Sequence, residues 1–125
     1  MASIKNTIFK HIVSLCREHV KTPVYTRRPE NVPLPYIRLS DFQGSDDDYK
    51  TVDKGSVRFK FLVYSSDPSV KEVAEICEEL ETAILRHYKQ FPEIARINVE
   101  NLWFTDVNKP DIHQGEIAFR CKYYN

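Results

Sequence analysis

Residues 55–88 constrain this chain more than any other stretch, because they read as a long strand running straight into a long amphipathic helix. Val57, Phe59, Phe61 and Val63 share one face, and Ser56, Arg58 and Lys60 share the other, which is the period-two pattern of a half-buried strand. Residues 65–69 then stop the strand. Asp67 or Ser66 can cap the free N–H groups of a helix, Pro68 suits a first turn that needs no donor, and Ser69 with Glu72 has capping-box spacing. Beyond them Val70, Val73, Ala74, Cys77, Leu80, Ile84 and Tyr88 recur at steps of three and four, while Lys71, Glu72, Glu75, Glu78, Glu79 and Glu81 point the other way. A strand with one apolar face and a helix with one apolar stripe bury them against each other, so the remaining chain must complete a two-layer core.

That remainder is small. A chain of 125 residues makes one domain spanning 1–125, with enough length for one core. Eighteen basic and eighteen acidic residues cancel, so no overall field favours nucleic acid, an anionic membrane or an acidic substrate, and none opposes self-association. No apolar run approaches the roughly 20 residues of a membrane span, and the first residues lack a signal-peptide apolar region, so no membrane partner is expected. Cys16, Cys77 and Cys121 are odd in number, far apart and each on an apolar face, as expected of small core residues in a reducing compartment.

In chain order, residues 3–20 read as a first helix with Ile4, Ile8, Ile12, Leu15, Cys16 and His19 on one stripe, ended by Pro23. Val24, Tyr25 and Thr26 make a short edge strand between prolines. Residues 35–42 alternate with Ile37 and Leu39 inward, and form a second strand. Residues 43–54 carry Asp46, Asp47, Asp48, Tyr49 and Lys50, and read as an exposed, mobile loop joining two antiparallel strands; its length is not demanded by the fold. Residues 97–106 form a strand whose alternation shifts phase at Asn101, from Ile97 and Val99 to Leu102 and Phe104, which predicts a bulge. After a turn at 108–111, residues 116–124 alternate with Ile117, Phe119, Cys121 and Tyr123 inward. The expected fold is α+β, in the order α-β-β-β-α-β-β. A mostly antiparallel sheet of four to five strands carries two helices on one face.

Chemistry is sparse. His11, His19, His87 and His113 lack metal-site spacing, and the triple aspartate lacks the alternating ligands, central glycine and terminal glutamate of a calcium loop. No serine sits in a nucleophile elbow, and three glycines supply no phosphate-binding loop. Basic residues are not interleaved with exposed aromatics as a nucleic-acid platform requires. No catalytic residue, cofactor site or metal site is expected, and neither is an enzyme. Tyr25, Tyr36 and Trp103 fall off the inferred core faces, which makes them candidates for an oligomer interface.

Three stretches together resemble the small tail-completion proteins of long-tailed bacteriophages. Val24-Tyr25 leads through a proline-bearing loop into Pro33-Leu34-Pro35-Tyr36-Ile37-Arg38-Leu39. Phe59-Lys60-Phe61-Leu62-Val63-Tyr64-Ser65 runs into the helix with Val70, Ala74 and Leu80. Leu102-Trp103-Phe104-Thr105-Asp106 precedes a polar turn and His113-Gln114-Gly115-Glu116-Ile117-Ala118-Phe119-Arg120. Tyr64 stands where many relatives carry tryptophan, and keeps an aromatic. The resemblance implies a structural subunit of a phage or prophage, without catalytic residues, that forms a ring (commonly a hexamer) coaxial with the tail tube. It would end or join that tube at the head, in the virion tail after assembly in the host cytoplasm. Its implied partners are copies of itself, the tail tube protein and the head connector proteins. Double-stranded DNA would pass through without specific binding, with residues 46–50 at the lumen or facing the adjacent ring. An adaptor of the same fold, or a small ligand-binding α+β domain unrelated to tails, is the alternative. A ring former shows a concentration-dependent oligomer, whereas a ligand-binding monomer stays near 14.7 kDa and gains stability with a small molecule.

Overall fold

The computed structural model describes residues 4–45, 54–66, 70–106 and 112–124. It contains α1 (Ile4–His19), β1 (Val24–Tyr25), β2 (Tyr36–Ser45), β3 (Lys54–Ser65), α2 (Lys71–His87), a 3-10 turn (Tyr88–Gln90), β4 (Ile94–Asp106) and β5 (His113–Tyr124). The five strands form one sheet in the order β1-β2-β3-β5-β4. β1 pairs parallel to β2 and every other pair is antiparallel. The fold is therefore α+β with a mostly antiparallel sheet, as the order of elements led us to expect.

β3 is the centre of the sheet, hydrogen-bonded on one side to β2 and on the other to β5 over its whole length. Its inward residues Val57, Phe59, Phe61 and Val63 are buried, as are Ile117, Phe119 and Cys121 of β5. Phe59 stacks on Phe119 at 5.2 Å between centroids, and Phe61 meets both rings edge-on. Such geometry adds about 0.5–1.5 kcal/mol per pair beyond the burial itself. Ile8, Ile12, Val13 and Cys16 of α1 and Val73, Cys77, Leu80 and Ile84 of α2 join the same cluster. Phe9 of α1 meets Phe42 of β2 edge-on at 5.2 Å, and Phe42 pairs with Phe59. Both helices thus cover one face of the sheet, and among the described residues no helix covers the other.

Several boundaries depart from the sequence reading. α2 begins at Lys71 with Val70 as its N-cap and no side-chain cap, in place of the cap expected at Ser66 or Asp67, and β4 and β5 begin at Ile94 and His113, ahead of the expected starts at 97 and 116. β2 continues through Gln43, Gly44 and Ser45, paired with Arg58, Val57 and Ser56, and β3 begins at Lys54, so the loop expected over 43–54 gives residues to strands at both ends. Backbone pairing propagates there without help from apolar side chains. Tyr88 belongs to the 3-10 turn and not to α2, which ends at His87. The bulge expected at Asn101 is present between Val99 and Asn101, with others between Leu39 and Asp41 and between Ile94 and Arg96. The bulge at Leu39/Asp41 keeps Phe42 on the helix side, since without it Asp41 would take that place.

Candidate interaction surface

The open face is built by the outward half of the strand alternation. One row crosses it from Tyr36 to Tyr64 to Gln114, the next from Arg38 to Leu62 to Glu116 to Trp103, and a third from Asp41 to Lys60 to Ala118 to Asn101. At the β1–β2 edge, Tyr25 meets Tyr36 edge-on at 6.0 Å, and Tyr36 lies tilted against Tyr64 at 5.1 Å. Tyr25 and Tyr36, singled out from the sequence, are therefore brought together. Trp103 is on the same face at the opposite edge, where its indole N–H donates to the Glu116 carboxylate. Asp46, Asp47, Asp48, Tyr49 and Lys50 lie outside the described residues.

Two charged pairs stand on the β4 side of this face. The Arg58 Nε lies 3.1 Å from Glu100 Oε1, and Lys60 Nζ lies 3.3 Å from Glu116 Oε1. Partly exposed pairs such as these contribute at most about 1 kcal/mol each, but they orient the side chains. Glu116 holds Lys60 and Trp103 together and so sets the angle of the indole. Not every cation on the face is met in this way: Arg38 Nε on β2 and Arg120 Nε on β5 are both buried and have no hydrogen-bond partner.

β4 is an edge strand, paired only with β5 in the sheet order. Its first half is covered, with Ile94 6% and Ile97 4% exposed. Its second half is not: Leu102 is 45%, Trp103 38% and Phe104 38% exposed. Leu102 pairs with buried Ile117 and Phe104 with Gly115, so both stand on the helix side of the sheet, where alternation predicts them. The helix layer does not extend far enough to cover them. Leu102 and Phe104 on the helix side and Trp103 on the open side thus leave exposed apolar surface on both faces of an unpaired edge strand, the kind of edge that offers a contact.

Reactive groups are poorly placed for catalysis. Burial pushes the Cys16, Cys77 and Cys121 thiols up to about 12, so they stay protonated and non-nucleophilic near neutral pH. His19 stacks on His87 at 3.7 Å where the ends of the two helices meet. His11 stacks on Phe91 at 3.9 Å and its Nε2 donates to Glu93 at 3.0 Å, which ties α1 to the start of β4. Among the described residues, no group of three His, Cys, Asp or Glu side chains is placed to hold a metal ion.

The sequence reading set Arg38 on the outward face of its strand but did not single out Arg38, Tyr64, Leu102 or Phe104 for the contact surface. Alternation puts Tyr36 and Arg38 out of phase with Ile37, and Tyr64 out of phase with Val63, so each faces outward on its own strand, but it does not bring the two strands together. For Leu102 and Phe104 no signal existed, because periodicity assigns a face but not whether another element covers it.

A helix-backed sheet with one open face and an apolar run on its free edge defines a small α+β domain whose most developed surface is built for contact. The chain belongs to the tail completion protein gp17 family, whose model matches residues 12–124. This makes it a structural protein of a phage tail. Among solved structures, one chain of the "Virion of native gene transfer agent (GTA) particle" is similar in fold. It shares 17% identity at a TM-score of 0.69, over 91% of this chain and 84% of that one. No curated protein matches the chain.

Proposed function

We propose that this subunit assembles with copies of itself into a ring at the head-proximal end of a long phage tail. There it ends the tail tube or joins it to the head connector, after assembly in the host cytoplasm. Double-stranded DNA passes through the ring without specific binding. Residues 46–50 face the channel or the adjacent tube ring, and Tyr25, Tyr36 and Trp103 take part in contacts between copies. The observation that carries the reading is the uncovered run Leu102, Trp103 and Phe104 on the edge strand, in a chain of zero formal charge. Tyr25 and Tyr36 lie at the opposite edge of the sheet from that run. A contact joining unlike edges is head-to-tail, and head-to-tail contacts close into rings when the rotation permits.

Electron microscopy and sedimentation of the parent and of Trp103→Ala at several concentrations test the reading. The parent should show a concentration-dependent oligomer and ring-shaped particles, alone or on added tail tubes. The variant should lose the oligomer while keeping its circular-dichroism spectrum. A parent that stays near 14.7 kDa throughout and does not cap tail tubes would overturn the reading.

A further inference from the structure

The two helices carry opposite charge. α1 has Lys5, Lys10 and Arg17 against Glu18, whereas α2 has five glutamates against Lys71 and Arg86. They also lie toward opposite edges of the sheet. α1 packs on β1 and, through Phe9, on Phe42 of β2, while α2 packs on β3, β5 and β4. A groove of about 670 Å³ runs along the outer flank of α1, lined among others by Phe9, Lys10, Val13, Arg17, Glu18 and Thr26. Phe9 and Val13 give it an apolar wall, and the exposed Lys10 and Arg17 give it a cationic rim. Glu18, the one carboxylate lining it, has His19 Nε2 at 3.9 Å.

The outer flank of α2 is the counterpart. Successive helical residues are about 100° apart, so Glu79 and Glu81 stand to either side of buried Leu80. Glu79 accepts from the backbone N–H of Lys21, just past α1, at 3.0 Å. Its side of α2 therefore faces α1, and the side of Glu81 faces β4. There Leu102 stands 45% exposed on the helix side of the unpaired strand. Glu78, exposed on the crest of α2, adds a second carboxylate. Arg86 lines the hollow shared with His19, on the α1 side, and Lys71, half a turn out of phase with Leu80, points away from the sheet.

We infer that the groove beside α1 receives the α2–β4 flank of a second copy of this chain, with Leu102 against Phe9 and Val13, and with Glu78 and Glu81 against Lys10 and Arg17. Groove and flank match in apolar content and are opposite in charge. A foreign protein in the groove would leave the acidic flank of α2 without its match, whereas a second copy satisfies both at once. Because the two surfaces lie at opposite edges of one subunit, each copy offers both and the contact propagates in one direction. The inference rests on the ring reading and adds a helix-side contact to it, since Tyr25, Tyr36 and Trp103 stand at the same two edges on the other face. Exposed ion pairs contribute little, but like charges set against each other cost more, so reversing charge probes the contact better than removing it.

Sedimentation of two charge-reversed variants, free and with added tail tubes, tests it: Lys10→Glu with Arg17→Glu, and Glu78→Lys with Glu81→Lys. Each variant alone sets like charges across the contact and should raise the concentration at half-assembly roughly tenfold or more. Mixed in equal amounts, the two should assemble as the parent does, since reversed groove then meets reversed flank and native groove meets native flank. Lys89→Glu with Lys122→Glu makes the same change in net charge at exposed positions outside the groove, and should not restore assembly to the α2 variant. Circular dichroism checks that every variant folds, and the single changes Lys10→Glu and Glu81→Lys replace a pair that does not. Suppose the parent assembles but each variant alone does so equally well, as it would with a different protein in the groove. The inference then fails while the ring stands. A mixture that stays unassembled, or a control that restores assembly, has the same meaning. A parent that forms no oligomer, free or on tubes, overturns both.

Discussion

Gly115 shows how tightly single positions are determined here. It pairs with Val63 on one side and Phe104 on the other, beneath α2. A Cβ added there would lie 2.3 Å from Val73 Cγ1, 3.0 Å from Cys77 Sγ and 3.3 Å from Phe104 Cδ1. Val73 is β-branched and fully buried, so it cannot swing aside. Gly115→Ala should therefore cost about 1–3 kcal/mol, the usual range for overpacking, even though alanine ordinarily suits a strand interior better than glycine. A urea titration measures this as a lowered midpoint at unchanged slope. An unchanged midpoint would mean that α2 sits farther from β5 than the contact distances say. Gly55 is held in the same way, its missing Cβ replaced by the Tyr123 ring.

At the scale of elements, the ion pair between α1 and the start of β4 makes stability depend on pH. The hydrogen bond from His11 is the largest influence holding the Glu93 carboxyl below the usual carboxylate range, and its own backbone N–H and the His11 charge help against a small burial penalty. A depressed folded pKa means stability that is fully present above the unfolded glutamate value of about 4.3 and lost as pH falls through the folded value. Thermal melts of Glu93→Gln and the parent between about pH 6 and pH 3 should therefore converge on acidification, with the parent more stable at the upper end. Superimposed curves would mean that the Glu93 carboxylate contributes no stability to the fold, and parallel, offset curves that its contribution does not depend on its charge. The elements themselves were largely legible in the sequence. The β3–α2 unit was plain because Phe59, Phe61 and Val63 keep period two and Val73, Cys77, Leu80 and Ile84 keep period 3.6. The bulge at Asn101 showed as a phase shift, and a similar shift from Leu39 to Phe42 went unread because it fell at the assumed end of β2. The parallel pairing of β1 with β2 could not be read at all, since alternation carries no information about strand direction. The groove beside α1 was equally hidden, because it joins Phe9 and Val13 to Thr26, from separate segments that only the fold brings together.

For the whole molecule, the question is how an uncharged subunit could surround DNA without holding it. Each phosphate carries a negative charge, and lysine or arginine contacts bind it by releasing counterions, so a channel that must let DNA slide needs few free cations at its wall. Formal neutrality here leaves that wall to be set by local charge, and the run Asp46, Asp47 and Asp48 is the densest acidic cluster in the chain. In the ring proposed above, these carboxylates repel the DNA backbone and keep it mobile. Replacing all three with serine removes three negative charges per subunit without adding bulk. Purified rings carrying the change should retain more linear double-stranded DNA at low salt, and the difference should shrink toward physiological ionic strength as the Debye length falls to about 8 Å. Tail joining, scored in an assembly assay with tubes and heads, should fall in parallel if residues 46–50 also meet the adjacent ring. If neither DNA retention nor joining changes at any salt concentration, the aspartates have no part in the channel, and the ring would have to keep DNA mobile by some other part of its wall.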